Sequence, residues 1–150
     1  MEERFEEFTS LISKLNRLIR KIKSTEMEEY NLKSPHVSCL YYLHTKSGEM
    51  TAAKLCEVCE EDKASISRTL EQLEDFGYIF CMAKNKKKYR SPIVLTEKGE
   101  QVGQEIEKKI NKIVNIAGIG VNSEDRIKMY KNLNTITKNL QQLYASYGEI

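Results

Sequence analysis

Residues 62–79, DKASISRTLEQLEDFGYI, constrain the fold more than any other stretch. Asp62 is suited to cap a helix, because its carboxylate can accept from the unpaired N–H groups of the first turn. Ile66, Leu70 and Leu73 then recur at helical spacing and define one apolar face. Gly77 closes the helix, and Tyr78 and Ile79 lead into a strand. The opposite face carries Ala64, Ser65, Arg68 and Gln72, which are small or polar apart from one long cation. A face meant only for water would favour Glu and Lys. Small residues near a helix start permit close approach to a DNA major groove, and an arginine there can reach a guanine edge or a phosphate.

The flanking segments supply a setting for such a helix. Phe8, Leu11, Ile12, Leu15, Leu18, Ile19 and Ile22 predict a long first helix over Phe5 to Ile22, followed by a connection over residues 24–33. Ser34 reads as an N-cap with Pro35 in the first helical position, opening a helix through Val37, Leu40, Tyr41 and Leu43 that ends near Lys46. Thr51 caps a short helix, Ala52 to Cys59, with Leu55 and Cys59 inward. A short helix, a tight turn and a second helix opening at Asp62 make a helix-turn-helix. Tyr78 to Ala83 and Ser91 to Leu95 predict two strands around the block KNKKKYR, a hairpin with a basic tip that forms a wing. Thr96 caps the next helix, with Glu97 well placed against its dipole and a stripe of Val102, Ile106, Ile110, Ile113 and Ala117 ending at Gly118 and Gly120. Ser123 starts the last helix, which runs through Ile127, Tyr130, Leu133, Ile136, Leu140, Leu143 and Tyr147.

The fold class is therefore mainly α with a small β-hairpin. A winged helix-turn-helix core over residues 34–96 is flanked by long helical ends, 1–33 and 97–150, in one 150-residue domain. Those ends are too long to bury their stripes on so small a core. A second subunit is the simplest cover, which makes them dimerisation helices.

Composition agrees and excludes other classes. An apolar fraction of 40% and a charged fraction of 31% describe an ordinary water-soluble domain. No run approaches the roughly 18 apolar residues of a membrane span. The start, MEERFEEF, is acidic and is not a secretory signal, so Cys39, Cys56, Cys59 and Cys81 are expected reduced in a cytoplasm. The net charge is only +2, yet residues 84–90 hold five cations and no acid, a local electrostatic footprint.

With these elements in order, the chain resembles the MarR family of bacterial transcription regulators over nearly its whole length. DKASISRTLEQLEDFGYI and PIVLTEKG carry the resemblance most specifically, together with the 18-residue step from Gly77 to Leu95. The resemblance implies a homodimer on a pseudo-palindromic double-stranded DNA operator, with the helix from Asp62 to Phe76 in the major groove and the wing on phosphates or the flanking minor groove. It also implies a small-molecule or stress signal acting between the dimerisation and DNA-binding parts, more in the manner of a repressor than an activator. Many members carry an Asp-Arg-Arg cluster in the wing. Here Lys87, Lys88 and Tyr89 stand there, followed by Arg90, and the aspartate is absent.

The candidate DNA-binding residues are Thr51, Ala52, Lys54, Lys63, Ala64, Ser65, Ser67, Arg68, Gln72, Lys86, Lys87, Lys88 and Arg90. Arg68 would otherwise be a solvated helix arginine, but its place opposite Ile66 and Leu70 favours a guanine contact. Ser65 and Ser67 suit phosphate as well as base. Thr51, Ala52 and Lys54 sit where the preceding helix would meet the backbone, with simple capping the plainer role for Thr51. The wing cations should appear as salt sensitivity, at a slope of about 0.9 per phosphate contact.

Cys56-x-x-Cys59 lacks the second ligand pair of a zinc site and the setting of a redox centre, so core packing is the plainer reading. A thiol- or metal-sensing regulator using Cys56 and Cys59 stays as an alternative, as does a winged-helix module that binds protein and not DNA. A peroxide-sensing thiol must be partly open and electropositive, and Cys39 is the nearest candidate. His36, Cys39 and Tyr42 are weak candidates to line an effector site, capping or surface roles being more ordinary for His36 and His44. No metal or cofactor is expected, and no nucleophile–base pair marks an enzyme.

Overall fold

A computed structural model of the chain describes residues 2–81 and 90–149. Six helices and one hairpin follow in the order α1 (Glu2–Glu26), α2 (Ser34–Thr45), α3 (Ala52–Cys59), α4 (Lys63–Asp75), β1 (Ile79–Cys81), β2 (Ile93–Leu95), α5 (Glu97–Ala117) and α6 (Ser123–Ser146) among those residues. Short 3-10 turns lie at Glu28–Tyr30 and Tyr147–Glu149. This is the mainly helical, small-hairpin architecture expected, and none of the described helices is long and apolar enough to cross a membrane.

Several boundaries move for identifiable reasons. The first helix reaches Glu26 and a 3-10 turn follows, because Met27 and Leu32 are driven into the core and draw the connection down with them. Ser34 is not the N-cap of α2. That position is Lys33, whose backbone N–H donates to Nδ1 of His36 at 2.9 Å, while the Ser34 N–H donates to Oγ of Ser24 at 3.0 Å. Thr51 and Asp62 cap as expected, accepting from Lys54 N–H at 3.2 Å and Ser65 N–H at 2.7 Å. At α6 the cap is Asn122, one residue before Ser123. The strands start later than expected, at Ile79 and Ile93, and pair antiparallel with Phe80 opposite Val94. Residues 82 and 83, assigned by sequence to the first strand, lie outside the described residues.

Residues 1–111 form one compact unit and 112–150 a second. The core of the first gathers Val37, Cys39 and Leu40 of α2, Leu55 of α3, Ile66 and Leu73 of α4, Ile79 and Ile93 of the hairpin, and Val102 and Ile106 of α5. Leu40, Leu55 and Leu73 are wholly buried, each contributing about 1.5–3 kcal/mol by leaving water. His44 of α2 meets α5 edge-on, with Nδ1 2.7 Å from Oε1 of Glu100 and Nε2 3.1 Å from Oε2 of Glu107.

Outside that core the apolar stripes stay open. Along α1, Phe5 is 70% exposed and Leu15 55%. In the second unit α6 buries no residue, and its Ile127, Leu140, Leu143 and Tyr144 all face solvent.

Candidate nucleic-acid interface

Helix α4 has two unlike faces. Ile66, Thr69 and Leu73 are buried, and Thr69 tolerates this because its hydroxyl donates to the Ser65 carbonyl at 2.9 Å. Lys63, Ala64, Ser67 and Arg68 are exposed, while Ser65 is half-buried. At 3.6 residues per turn, the same outer face continues to Glu71 and Asp75, both exposed carboxylates. Anions repel a phosphate backbone, so the first half of α4, Lys63 to Arg68, is the part whose exposed face suits an anionic partner. The acids were readable from the helical spacing, as Arg68 was.

Gln72, also exposed, has a partner within the protein. Its Oε1 lies 2.7 Å from Nε2 of His36. Nδ1 of His36 accepts from Lys33 N–H, so the ring proton sits on Nε2 and donates to the Gln72 oxygen. The bidentate pattern that glutamine uses on adenine needs that oxygen free. Gln72 therefore ties α4 to the start of α2 on its flank, and His36, buried and bonded at both nitrogens, is both a cap and a tie. The edge of its ring also meets Phe76, with centroids 5.8 Å apart.

At α3 the candidates divide similarly. Ala52 is 7% exposed with its methyl in the core, which leaves only its backbone to a phosphate. The Lys54 ammonium donates to the Glu49 carbonyl at 2.7 Å, on the exposed side just before the helix. Glu60, in the turn between α3 and α4, holds the left-handed conformation at φ 52°. Its N–H and that of Glu61 return to the Glu57 and Cys56 carbonyls and close α3.

The wing grows from a clamped base. Ile93 N–H donates to the Met50 carbonyl at 2.8 Å, Thr96 N–H to the Tyr78 carbonyl at 3.0 Å, and the Thr96 hydroxyl to the Gly77 carbonyl at 2.6 Å. Lys98 donates to the Phe76 carbonyl at 2.7 Å and stands over the Tyr78 ring at 4.5 Å. Gly99 packs so closely on the Tyr78 carbonyl that a side chain there would collide with it. Arg90 is exposed, whereas Lys86, Lys87 and Lys88 lie outside the described residues.

The remaining candidates do not converge. Cys39 is buried in the core, and Tyr42 packs edge-to-face on Tyr41 with its phenol pushed up by burial. The crevice between α2 and α4 is lined by Ser34, Pro35, Ser38, Cys59, Glu61, Ser65, Ile66 and Thr69, and not by His36, Cys39 or Tyr42. Cys59 is half-buried in that crevice, its thiol held below its ordinary range by the neighbouring Cys39 against burial. No group of three or more potential metal ligands occurs among the described residues.

Residues 32–99 match the family model of a winged helix DNA-binding domain, spanning the α2-to-α5 segment just described. Over that segment the chain has a winged helix fold. Solved structures extend the likeness to nearly the whole chain. NMB1585, a MarR family regulator from Neisseria meningitidis, aligns with a TM-score of 0.80 at 14% identity over 95% of this chain and 97% of that one. A putative MarR family transcriptional regulator from Listeria monocytogenes, complexed with 26mer DNA, gives 0.79 at 24% identity over 93% and 94%. MepR of S. aureus, in a complex with DNA, gives 0.77 at 17% over 89% and 97%. The chain has the fold of the MarR regulators, terminal helices included.

Proposed function

We propose that this protein is a sequence-specific DNA-binding transcription regulator that acts as a homodimer, with the first half of α4 in the major groove. The observation that carries this reading is the capped start of α4, where Lys63, Ala64, Ser67 and Arg68 are all exposed on a winged helix scaffold. Arg68 supplies the base contact, Ser67 and the N–H groups of the first α3 turn supply phosphate contacts, and the wing cations add a sequence-independent attraction. DNA in the Listeria monocytogenes and S. aureus complexes supports the same use of the fold here. The chain is a binding protein and not an enzyme.

Dimerisation is supported by the uncovered stripes of α1 and of α6, which a second copy would cover. A repressor whose affinity falls on receiving a signal fits this arrangement, since a shift between two copies changes the spacing of two reading helices. The test is fluorescence anisotropy with promoter fragments adjoining the gene, alongside sedimentation equilibrium. Binding of two chains per fragment, weakened about 5- to 150-fold by Arg68→Ala, is expected. Unchanged affinity in that variant would remove α4 from the interface, and a monomer at micromolar concentration would remove the dimer.

A further inference from the structure

Residues 8–24 hold five cations, Lys14, Arg17, Arg20, Lys21 and Lys23, and no acid. At 3.6 residues per turn, Arg17, Arg20, Lys21 and Ser24 of α1 fall opposite the apolar stripe of Leu11, Leu15, Leu18 and Ile22. A second copy that covers the stripe therefore leaves this cationic face open. The face ends in a groove of about 490 Å³, lined by Arg20, Lys21, Ser24 and Thr25 of α1 and by Lys33 and Ser34 at the start of α2. Lys21 and Lys33 are both exposed, and neither has a carboxylate partner among the described residues. Arg20 has a loose one, Oε1 of Glu61 at 3.7 Å. Glu28 stands in the next hollow, beside Thr25, Asn31 and Lys33.

We propose that this groove receives the sugar–phosphate backbone of DNA, with Lys21 and Lys33 as phosphate contacts outside the stretch met by α4. The proposal extends the DNA-binding function above and rests on it. The groove adjoins the first half of α4, because Ser34 and Pro35 line it and also line the crevice that reaches Ser65. Glu61, which meets Arg20, directly precedes the Asp62 cap of α4. The cations of α1 and of the α2 start thus continue the surface begun by Lys63 and Arg68.

The chemistry favours a polyanion over a compact free anion. The backbone donors at the entry to α2 are already taken, Lys33 N–H by His36 and Ser34 N–H by Ser24. What the groove offers instead is charge on long, exposed side chains, which suits a run of phosphates. Each lysine that neutralises a phosphate releases counterions and adds about 0.9 to the salt slope. Neither reaches a base edge, so both add affinity and register without sequence preference.

The full-length protein is compared with Lys21→Gln and Lys33→Gln, singly and together, on a promoter fragment that the parent protein binds. The fragment is used whole and trimmed of the base pairs flanking its protected core, in anisotropy across a salt series and in hydroxyl-radical footprinting. Each substitution should lower the salt slope by about 0.9, and the double variant should bind about tenfold more weakly. The double variant should also lose protection of the flanking sugars while keeping the parent's base preference and melting curve. On the trimmed fragment it should bind like the parent, and Lys21→Arg with Lys33→Arg should restore slope and footprint. An unchanged slope with an unchanged footprint overturns the proposal. An equal loss on the trimmed fragment also overturns it, since that marks a general effect of net charge. Saturable binding of inorganic phosphate to the DNA-free protein, lost in the double variant while the DNA slope holds, makes the groove a small-anion site and overturns it as well. If Arg68→Ala weakens binding and the lysine variants do not, the groove fails alone. If the parent protein binds no DNA, the function proposed above fails and the groove with it.

Discussion

Replacing His36 by alanine should destabilise the first unit by about 3 kcal/mol, and the sum can be built from its contacts. The ring gives the Lys33 N–H its acceptor at the start of α2, at 2.9 Å. Loss of a cap costs about 1 kcal/mol. Its other nitrogen donates to Gln72 at 2.7 Å, an interaction of about 1 kcal/mol net. The edge-to-face contact with Phe76, at 5.8 Å and 72°, adds roughly 0.5–1.5 kcal/mol. Urea unfolding followed by circular dichroism should show the midpoint falling with the slope unchanged, and the melting temperature should drop by roughly 6–12 °C. Gln72→Ala alone should cost about 1 kcal/mol, and the double variant should fall short of additivity by about the same amount. Gln72→Ala should also leave base preference on DNA intact. A His36→Ala protein within about 0.5 kcal/mol of the parent would refute the reasoning, and so would a Gln72→Ala protein with altered base preference.

Other perturbations test separate parts of the structure. Gly99→Ala would drive a methyl onto the Tyr78 carbonyl, whose carbon would lie 2.9 Å away, so a loss of about 3 kcal/mol or poor expression is expected. Gly148→Ala, with open space around it, should stay within about 0.5 kcal/mol in the same melts. Glu71→Gln removes an acid from the outer face of α4 and should tighten DNA about two- to threefold in low-salt anisotropy, with the gain shrinking as salt rises. Tyr78, 4% exposed, has its phenol pushed up by burial and then by Tyr30. A raised folded-state value means stability is full below the unfolded value of about 10 and is lost as pH climbs through the folded one. Tyr78→Phe should flatten that alkaline decline in pH-dependent urea melts.

The elements that sequence made legible are those with local causes. Thr51 and Asp62 cap through their own side chains, and Ile66, Leu70 and Leu73 repeat within one helix, so each announces itself within a few residues. The start of α2 did not, because its cap is the Lys33 backbone and the acceptor is an imidazole three residues on, where serine and proline offered a more familiar pattern. Thr69 looked polar but is buried, since its hydroxyl is satisfied within its own helix. Nothing local around Gln72 reveals that His36, thirty-six positions earlier, hydrogen-bonds its oxygen. Side chains committed to distant partners are the ones a linear reading misassigns.

The clamp at the base of the hairpin has a mechanical consequence. Met50 before α3 accepts from Ile93 of β2, and Gly77 and Tyr78 after α4 accept from Thr96 before α5, through backbone and hydroxyl bonds of 2.6–3.0 Å. Helix α4 and the hairpin root are therefore tied to one hub. A twist at the first turn of α5 turns both by the same angle. In a two-copy assembly, tolerance to operators of unequal spacing must then come from play between the copies, because one hub has no slack to give.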